Sequence, residues 1–532
     1  MLVELAQNAS DAGGPSLSVT FDGSVLSAAN TGSPLAAEGV AALASLRASA
    51  KRSGGTVGRF GVGFAAVAAV ADEVVVASTT GAVRFSRALT LAEVEGIPSL
   101  ASELAAREGR VPLLRLPFDC TDSPREGFDT EIRVLVRPDA VEQVRAVLAG
   151  IDPTLLLVLP NLATIDVDGA VLELSADGPD VLLDGIRWRV RRGEGSLDPA
   201  LLADRPVEER GQDRWQVTWA VPVGGDLPKG LARVFRAPTV TDDPLSLPVV
   251  LAASLPLGPD RRRILPGPLT DAVLAGAARV LAELVQDLPA DPSLLRLVPP
   301  PLGAGEIDAR LGSAVLKAFR DARVVPGDTV LEGSNPELVE LLTELIPGLL
   351  PHEWGASRWA APLRAHGVRT MSLAELTEVL AGVGREPSWW GRLYAALPPD
   401  VDQLGSLPVP VVGGGLSGSA RGLLIADAAV DLTPLGFKVV EPEAAHDLLL
   451  RLGARHAEPR ALLEDPRVRA AVEAADEAYD DEIDDVVAAV LALVGAADLR
   501  PGDLPWLAAL PLPTTDGDRR PAGELLLPDS PL

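Results

Sequence analysis

The amino-acid sequence predicts an α+β fold, with helices covering one face of a mixed or antiparallel sheet. Three observations in residues 1–150 support this prediction. A helical pattern opens the chain, two strand patterns follow on either side of Asp22-Gly23, and an apolar helix pattern after a glycine-rich loop leads into further strands. Elements that alternate in this way bury their apolar faces against each other as two layers.

The first element is a helix predicted over residues 1–12 (MLVELAQNASDA). Glu4, Asn8 and Asp11 are spaced i, i+4 and i+7, which places the three polar side chains on one helix face. An acid, an amide and a second acid on one face indicate a shared polar target. The helix is therefore the first candidate for a functional element.

The strands of the same region are predicted from short runs rich in apolar and β-branched residues between turn signals. They cover residues 16–23, 24–30, 73–79, 82–89 and 129–137. Asp22-Gly23 separates the first two strands and is typical of a hairpin turn. A buried helix is predicted over residues 63–71 (GFAAVAAVA), because nearly all of its residues are apolar.

Residues 151–297 are predicted to form a second α/β domain. Strand patterns cover 163–174 and 214–223, and a helical pattern covers 269–288. The Pro- and Gly-rich stretch 297–308 is the predicted boundary of this domain, because such stretches are typical of linkers.

Residues 309–532 are predicted to be a mixed α/β region with weak internal repeats. LPVP precedes LLIAD in this region, and LPLP precedes LLLPD about one hundred residues later. Because the second copy ends with the sequence, we expect an array of small modules that continues further. Trp389, Trp390 and Tyr394 are at helical spacing and are predicted to be core or interface residues.

Composition excludes several classes of protein. A length of 532 residues predicts about three or four domains, and 47% hydrophobic residues are enough for large cores. The net charge of -27 argues against a nucleic-acid partner, which needs a basic face. Cys120 is the only cysteine, which favours a reducing, cytoplasmic setting. No apolar run reaches the roughly 18 residues of a membrane span, so no membrane partner is expected.

The second candidate element is the glycine-rich loop GRFGVGF, residues 58–64, which leads into the apolar helix. Glycines let a backbone approach a ligand closely, and the N–H groups at a helix start attract phosphate oxygens. The loop is not a P-loop, because no Gly-Lys-Ser/Thr follows. It is not a Rossmann turn either, because no parallel strand leads straight into it.

The two elements together resemble the N-box and the second glycine box of the GHKL ATPases, which share the Bergerat nucleotide fold. ELAQNASDA and GRFGVGF look most like the heat-shock-protein-90 chaperones and the ATPase-like module of sacsin. The resemblance covers residues 1–150 closely and 151–297 loosely. It implies a Bergerat-type α/β sandwich that binds ATP and Mg²⁺.

The resemblance also implies a role for each matching residue. Asn8 is expected to hold the Mg²⁺ that bridges the phosphates, and Glu4 to orient or deprotonate the attacking water. Asn30 stands where the family has an Asp that accepts a hydrogen bond from the adenine amino group, and Thr130 matches a Thr that contacts adenine through water. The expected nucleotide-binding residues are Asn8, Asp11, Asn30, Gly32, Lys51, Gly58, Arg59, Phe60, Gly61, Val62, Gly63, Phe64 and Thr130.

The sequence departs from the family pattern at the adenine segment, where Pro34 replaces a second Gly. An Asn carboxamide oxygen still accepts a hydrogen bond, but the change puts adenine specificity and affinity in doubt. Asn30 as a plain turn residue is the alternative.

Two further segments match parts of the family that move. Residues 45–57 fall where these proteins carry an ATP lid, and Lys51 is either a phosphate ligand there or a solvated side chain. Arg262, with its neighbours Arg261 and Arg263, is a candidate for an arginine that reaches the terminal phosphate from the second domain. A solvated basic turn is the alternative for these arginines.

The implied function is an ATP-binding, Mg²⁺-dependent ATPase of the sacsin or heat-shock-protein-90 type, in which lid closure is coupled to domain docking. The alternative is a nucleotide-gated scaffold that binds ATP with little or no turnover. Family members place a further element before the N-box, so we expect a covering segment ahead of Met1 that also forms a homodimer. The client or partner protein is not indicated by the sequence.

Overall fold

The structure is a computed structural model of the 532-residue chain. It describes all residues except 45–66, 206–209, 212, 238, 400–401, 427–430, 476–479, 516 and 527–532. The chain forms two compact units, Met1–Val325 and Pro326–Leu532. No helix in the described part of the chain is both long enough and apolar enough to span a lipid bilayer.

The first unit has helices between pairs of strands in its first half and a run of strands followed by two long helices in its second half. In chain order they are α1 (Leu2–Asp11), β1 (Gly13–Phe21), β2 (Val25–Gly32), α2 (Ala37–Ala44), β3 (Ala71–Ser78), β4 (Gly81–Ser86), α3 (Arg87–Glu95), α4 (Ala101–Ala106), β5 (Phe118–Cys120), β6 (Thr130–Val136), α5 (Val141–Ala149), α6 (Leu155–Val158), β7 (Thr164–Val167), β8 (Ala170–Asp177), β9 (Asp180–Leu183), β10 (Ile186–Ser196), β11 (Arg214–Pro222), β12 (Val234–Ala237), β13 (Thr239–Pro244), β14 (Val250–Ala253), α7 (Pro268–Gln286) and α8 (Glu306–Asp321).

The strands of the first unit form one mixed sheet in the order β13-β12-β14-β11-β10-β9-β8-β7-β1-β2-β6-β3-β4-β5. The β1–β7 and β12–β14 contacts are parallel, and the other pairings are antiparallel. The sheet therefore continues without a break from the strands of residues 1–150 into those that follow. The predicted division of the chain at residues 150 and 297 stays a prediction.

Helices cover one face of the sheet around β1, β2 and β6. Leu5 and Ala9 of α1 pack in the same buried cluster as Val19, Ala28 and Ile132, which lie on one face of these strands. Side chains of α5 and α6 complete the cluster. Because apolar residues alternate along the strands, their burial requires a helix layer on that face only. The α+β class predicted from the sequence is confirmed.

Two strand predictions are wrong in their bounds. The strand predicted over 82–89 ends at Ser86, whose side chain accepts a hydrogen bond from Leu89 N at 3.4 Å and caps helix α3. The strand predicted over 163–174 is two strands, because Asp168 and Gly169 form a tight turn with φ of 50° and 88°. The Asp-Gly dipeptide carries the signal for this turn, as it does at Asp22-Gly23.

The second unit has short strands between helices. Its elements are β15 (Thr329–Leu331), α9 (Pro336–Leu342), α10 (Ala360–His366), β16 (Arg369–Met371), α11 (Leu373–Leu380), α12 (Pro387–Ala396), β17 (Val409–Pro410), β18 (Leu416–Ser417), β19 (Leu424–Ile425), α13 (Asp447–Arg451), β20 (Arg455–His456), α14 (Pro459–Leu463), α15 (Pro466–Ala475), α16 (Asp480–Ala496), β21 (Pro511–Pro513) and β22 (Arg519–Pro521). Trp389, Trp390 and Tyr394 are core residues on α12, as predicted.

The internal repeat predicted for this region has a structural counterpart. LPVP leads into the β17–β18 hairpin, where Val409 pairs with Ser417. LPLP leads into the β21–β22 hairpin, where Leu512 pairs with Arg520 in the same register. The two sequence copies therefore form the same antiparallel hairpin.

Candidate functional site

The polar face of α1 is the first part of the candidate site. The apolar side of the helix is buried in the core, while Glu4, Asn8 and Asp11 are only partly buried. The Asn8 side chain makes no hydrogen bond to a described residue, so its carboxamide oxygen is available to a ligand. The structure thus confirms the helix and the shared face that the spacing of the three residues predicts.

The end of α1 lies directly against the turn that follows β2. Ser33 N donates a hydrogen bond to Ala12 O at 2.7 Å. A Cβ atom at Gly14 would lie 1.8 Å from Thr31 O. Gly32 has a φ of 116°, and a Cβ atom there would lie 2.4 Å from Ala12 O. Only glycine fits these two positions. The close backbone approach brings the segment with Asn30 and Gly32 next to the helix with Asn8 and Asp11.

Asn30 and Thr130, which are far apart in sequence, are direct neighbours across the sheet. Asn30 of β2 pairs with Thr130 of β6, and Thr130 pairs in turn with Ser78 of β3. Residues paired in this way share one face of a sheet. The three residues continue the rows that begin with Ala28 and Ile132, so they lie on the face that α1 covers.

Each side chain in this polar row is more than nine-tenths buried. The Asn30 carboxamide nitrogen donates to Thr31 O at 3.0 Å, and Gly32 N donates to the carboxylate of Asp129 at 2.9 Å. Buried polar groups are costly unless they are hydrogen-bonded, so these bonds fix the turn and the Asn30 rotamer. Asn30 is therefore a buried, hydrogen-bonded residue of β2, and its contact with a nucleotide stays a prediction.

Ser78 is the member of this row that the sequence analysis missed. Its hydroxyl accepts from Leu35 N at 2.9 Å, donates to Asp129 O at 3.0 Å and lies 3.2 Å from the Thr130 hydroxyl. In the sequence, Ser78 is a small polar residue at the end of an apolar strand pattern. Its position beside Thr130 depends on the pairing of two distant strands, for which the sequence carries no local signal.

The arginine that approaches α1 is Arg261. Its guanidinium Nη1 lies 3.8 Å from the Glu4 carboxylate, whose side chain is 19% exposed. Arg262, the arginine predicted from the sequence, is 70% exposed and pairs with Asp242 at 3.0 Å. The structure therefore brings Arg261, and not Arg262, next to the predicted catalytic acid.

The loop that presents Arg261 is held to β13 on both of its sides. Asp242 N donates to Arg262 O at 2.7 Å, and Ile264 N donates to the Asp243 carboxylate at 2.7 Å. Arg261 itself has a φ of 57°, a conformation that side-chain-bearing residues rarely adopt. This conformation belongs to the tight turn in which Arg261 N donates to Gly258 O at 2.9 Å and Gly258 N donates to Arg263 O at 2.9 Å.

Burial raises the pKa of Glu4 above its ordinary value, and the nearby Arg261 guanidinium opposes this rise. A carboxylate with a raised pKa is a better proton acceptor than an ordinary Glu, and such shifts are common at catalytic sites. The electrostatics of Glu4 therefore fit a general base or a water-orienting group.

The described residues fit a magnesium ion that is bound mainly through phosphate. No group of three or more His, Cys, Asp or Glu side chains that could hold a metal is found among them. Magnesium uses one or two protein ligands together with substrate phosphates and water, rather than a complete protein cage. One free amide oxygen on Asn8 meets that need.

The predicted glycine loop and lid lie outside the described residues. These predictions concern Lys51, Gly58, Arg59, Phe60, Gly61, Val62, Gly63 and Phe64. Val67 and Val70, directly after the loop, are buried in the same core cluster as Leu5 of α1. The chain that follows the loop is thus packed in the core that α1 also contacts.

Comparisons with known proteins leave the family unassigned. No family model and no curated protein matches the chain. Among solved structures, the N-terminal domain of a DNA repair protein matches with 11% identity over 51% of this chain and 89% of that chain, at a TM-score of 0.25. The ATPase region of Saccharomyces cerevisiae topoisomerase II matches with 11% identity over 44% of this chain and 58% of that chain, at a TM-score of 0.22. A likeness this distant establishes neither family nor activity.

Proposed function

We propose that the chain is a GHKL-type ATPase that binds ATP with Mg²⁺ on the polar face of α1 and hydrolyses it. We further propose that it acts as a chaperone of the sacsin or heat-shock-protein-90 type, in which nucleotide binding closes a lid and docks neighbouring domains. The described residues carry the first proposal, and the sequence resemblance carries the second.

The observation that carries the proposed ATP site is the pairing of Asn30 with Thr130. Two separate sequence motifs assigned these residues to one adenine pocket. A chance resemblance gives no reason for the two residues to be register neighbours on the sheet face that α1, the helix with Asn8, packs against. Their burial would shield hydrogen bonds to a base from water.

In the proposed site the base and the phosphates of the nucleotide contact different elements of the fold. The base lies against Asn30 and Thr130, and the phosphates lie along α1 near Asn8. Asn8 would hold a magnesium ion, which when bound neutralises phosphate charge. Glu4, one helical turn before Asn8, orients or deprotonates the water that attacks the terminal phosphate.

Arg261 is the arginine that we propose for the terminal phosphate. It already lies next to Glu4, and its fixed charge and planar guanidinium suit phosphate oxygens. Its loop belongs to the strands beyond residue 150, so its position couples those strands to hydrolysis. The Lys51 lid contact is proposed from the resemblance alone.

The test is a phosphate-release assay with Mg²⁺-ATP on the full chain, alongside calorimetric ATP binding. The wild type is compared with Glu4→Gln and with Glu142→Gln, a matched change at a Glu whose side chain is 85% exposed. We expect Glu4→Gln to bind ATP without releasing phosphate, and Glu142→Gln to behave as the wild type. Wild-type binding without turnover would leave the scaffold alternative. No ATP binding at all would refute the proposal.

A further inference from the structure

One segment of the first unit is helical but almost uncovered. β4 and β5 are antiparallel neighbours, with Arg84 paired to Phe118, and a short turn could join such strands. Residues 87–117 connect them instead. Within this connection, residues 87–110 form α3, a turn of 3-10 helix and α4, and Thr90 is the one residue among them that is buried. We call residues 87–110 the α3–α4 segment.

The α3–α4 segment is fixed to the fold at both of its ends. The Ser86 side chain caps α3, and after α4 the chain returns to the core at Leu113, which lies in the same buried cluster as Leu43. Between these points α3 has nine residues and α4 has six. Helices in proteins gain most of their stability from packing an apolar face. Because the α3–α4 segment buries almost nothing, its apolar face is available to a partner.

The exposed face of the segment carries three large apolar side chains. Leu89, Ile97 and Leu100 are 41%, 44% and 38% exposed. Leu89, Glu93 and Ile97 are spaced i, i+4 and i+8, which places them along one side of α3 and the turn that ends it. Leu100 N donates to Ile97 O at 3.0 Å, so Leu100 lies directly beyond. These four residues form an apolar stripe with one acid inside it, and exposed apolar patches with polar neighbours mark interaction sites.

The charge of the stripe indicates the kind of partner. Glu93 in the stripe and Glu95 beside it are exposed and form no ion pair with a described residue. Arg107 and Arg110, at the end of the segment, are already paired with acids of the segment itself at 2.6 and 3.0 Å. The net charge of the whole chain is -27, which attracts cationic partners over longer distances. A basic side chain between apolar ones would therefore complement the stripe.

We propose that the α3–α4 segment is a docking surface for a basic amphipathic helix of a partner protein. Apolar side chains of that helix lie on Leu89, Ile97 and Leu100, and a lysine or arginine among them pairs with Glu93. Amphipathic helices bind apolar surfaces in this way, through residues at i, i+3, i+4 and i+7. A second copy of this chain is the poorer occupant, because a two-fold contact between identical stripes brings their acids together. The inference goes beyond the proposed ATPase and does not depend on it.

The probe is a synthetic helical peptide of about 18 residues, with a leucine stripe interrupted by lysines. Its acidic twin has glutamate in place of each lysine. The Kd of each peptide for the full chain is measured by fluorescence anisotropy, without nucleotide. We expect the lysine peptide to bind at least about tenfold more tightly than the twin at low salt, and the difference to shrink at high salt.

Two variants of the stripe separate its charge from its apolar surface. Glu93→Lys should weaken binding of the lysine peptide and strengthen binding of the twin. Glu142→Lys, the same change at an 85% exposed Glu of α5, should keep the wild-type preference. Ile97→Ser should weaken binding of both peptides about tenfold, because it removes apolar contact area. Leu302→Ser, at an 87% exposed Leu outside the segment, should leave both Kd values unchanged.

Each contrary result overturns the inference. Failure of the lysine peptide to bind the wild type would do so. An equal preference in Glu93→Lys and the wild type would also do so, because attraction to the net charge of the chain would then suffice. A wild-type dimer in analytical ultracentrifugation that Ile97→Ser converts to a monomer would assign the stripe to a second copy instead of a partner helix. None of these results bears on ATP binding, which is measured separately.

Discussion

Replacing Asn30 by Asp restores the residue that the GHKL pattern has at this position, yet the structure predicts that it damages the protein. The Asn30 carboxamide nitrogen donates to Thr31 O at 3.0 Å, in a position that is more than nine-tenths buried. In Asn30→Asp a carboxylate oxygen takes the place of that nitrogen and faces the carbonyl oxygen. One hydrogen bond is lost and a buried acceptor is left unpaired, which costs about 1–3 kcal/mol of unfolding free energy.

The loss of stability in Asn30→Asp should depend on pH, and its direction follows from the pKa of the new carboxyl group. Burial beside a carbonyl disfavours the charged carboxylate, so the pKa of the new Asp is raised in the folded protein. A protonated carboxyl group can donate to Thr31 O again. The loss is therefore complete above the raised folded pKa and disappears as the pH falls toward the unfolded value of about 3.9.

The assay is urea unfolding of wild type and Asn30→Asp between pH 8 and pH 5, with ATP binding measured at pH 8. Asn161→Asp is the control, because Asn161 is exposed and its carboxamide nitrogen donates to Ser10 O at 2.9 Å. We expect the control to lose little stability. An Asn30→Asp variant as stable as the wild type at pH 8, with tighter ATP binding, would refute the reasoning.

Three further outcomes follow from single contacts in the first unit. Glu4→Gln should lower phosphate release about 100-fold or more while ATP still binds, and a loss of less than tenfold in the release assay would count against a catalytic Glu4. Arg261→Ala removes the charge that lowers the raised pKa of Glu4, so the acid limb of the pH–rate profile should move to higher pH, whereas Arg262→Ala should leave it in place. Arg236 is buried and its Nη1 lies 2.6 Å from the Asp152 carboxylate, so Arg236→Met should cost about 3–5 kcal/mol in urea unfolding, and a cost below 1 kcal/mol would contradict this.

The local elements of the first unit could be predicted because their signals are local. The spacing of Glu4, Asn8 and Asp11 gave α1 and its polar face, and Asp22-Gly23 gave the first hairpin. The sequence predicted one strand through Asp168-Gly169, where the structure has two. The strand pattern continues on both sides of the tight turn, so its length alone did not show that one strand ends there. The sequence did not show which distant strands pair with each other.

In the candidate site too, local motifs predicted some features, and others depend on contacts between distant parts of the chain. Asn30 and Thr130 were found from motifs, but their pairing, and the place of Ser78 beside them, depend on which strands become neighbours. The choice between Arg261 and Arg262 depends on the backbone of one loop. Arg261 lies 3.8 Å from the Glu4 carboxylate, whereas its neighbour Arg262 pairs with Asp242. No sequence pattern in a run of three arginines carries that information.

The most direct test of the central claim is a calorimetric titration of the full chain with ATP, in the presence and absence of Mg²⁺. Asn8→Ala is compared with Gln286→Ala, an exposed amide on α7. We expect one ATP per chain, binding that weakens without Mg²⁺, and a large loss of affinity in Asn8→Ala only. Wild-type affinity in Asn8→Ala, or no heat of binding in the wild type, would contradict a nucleotide site on α1.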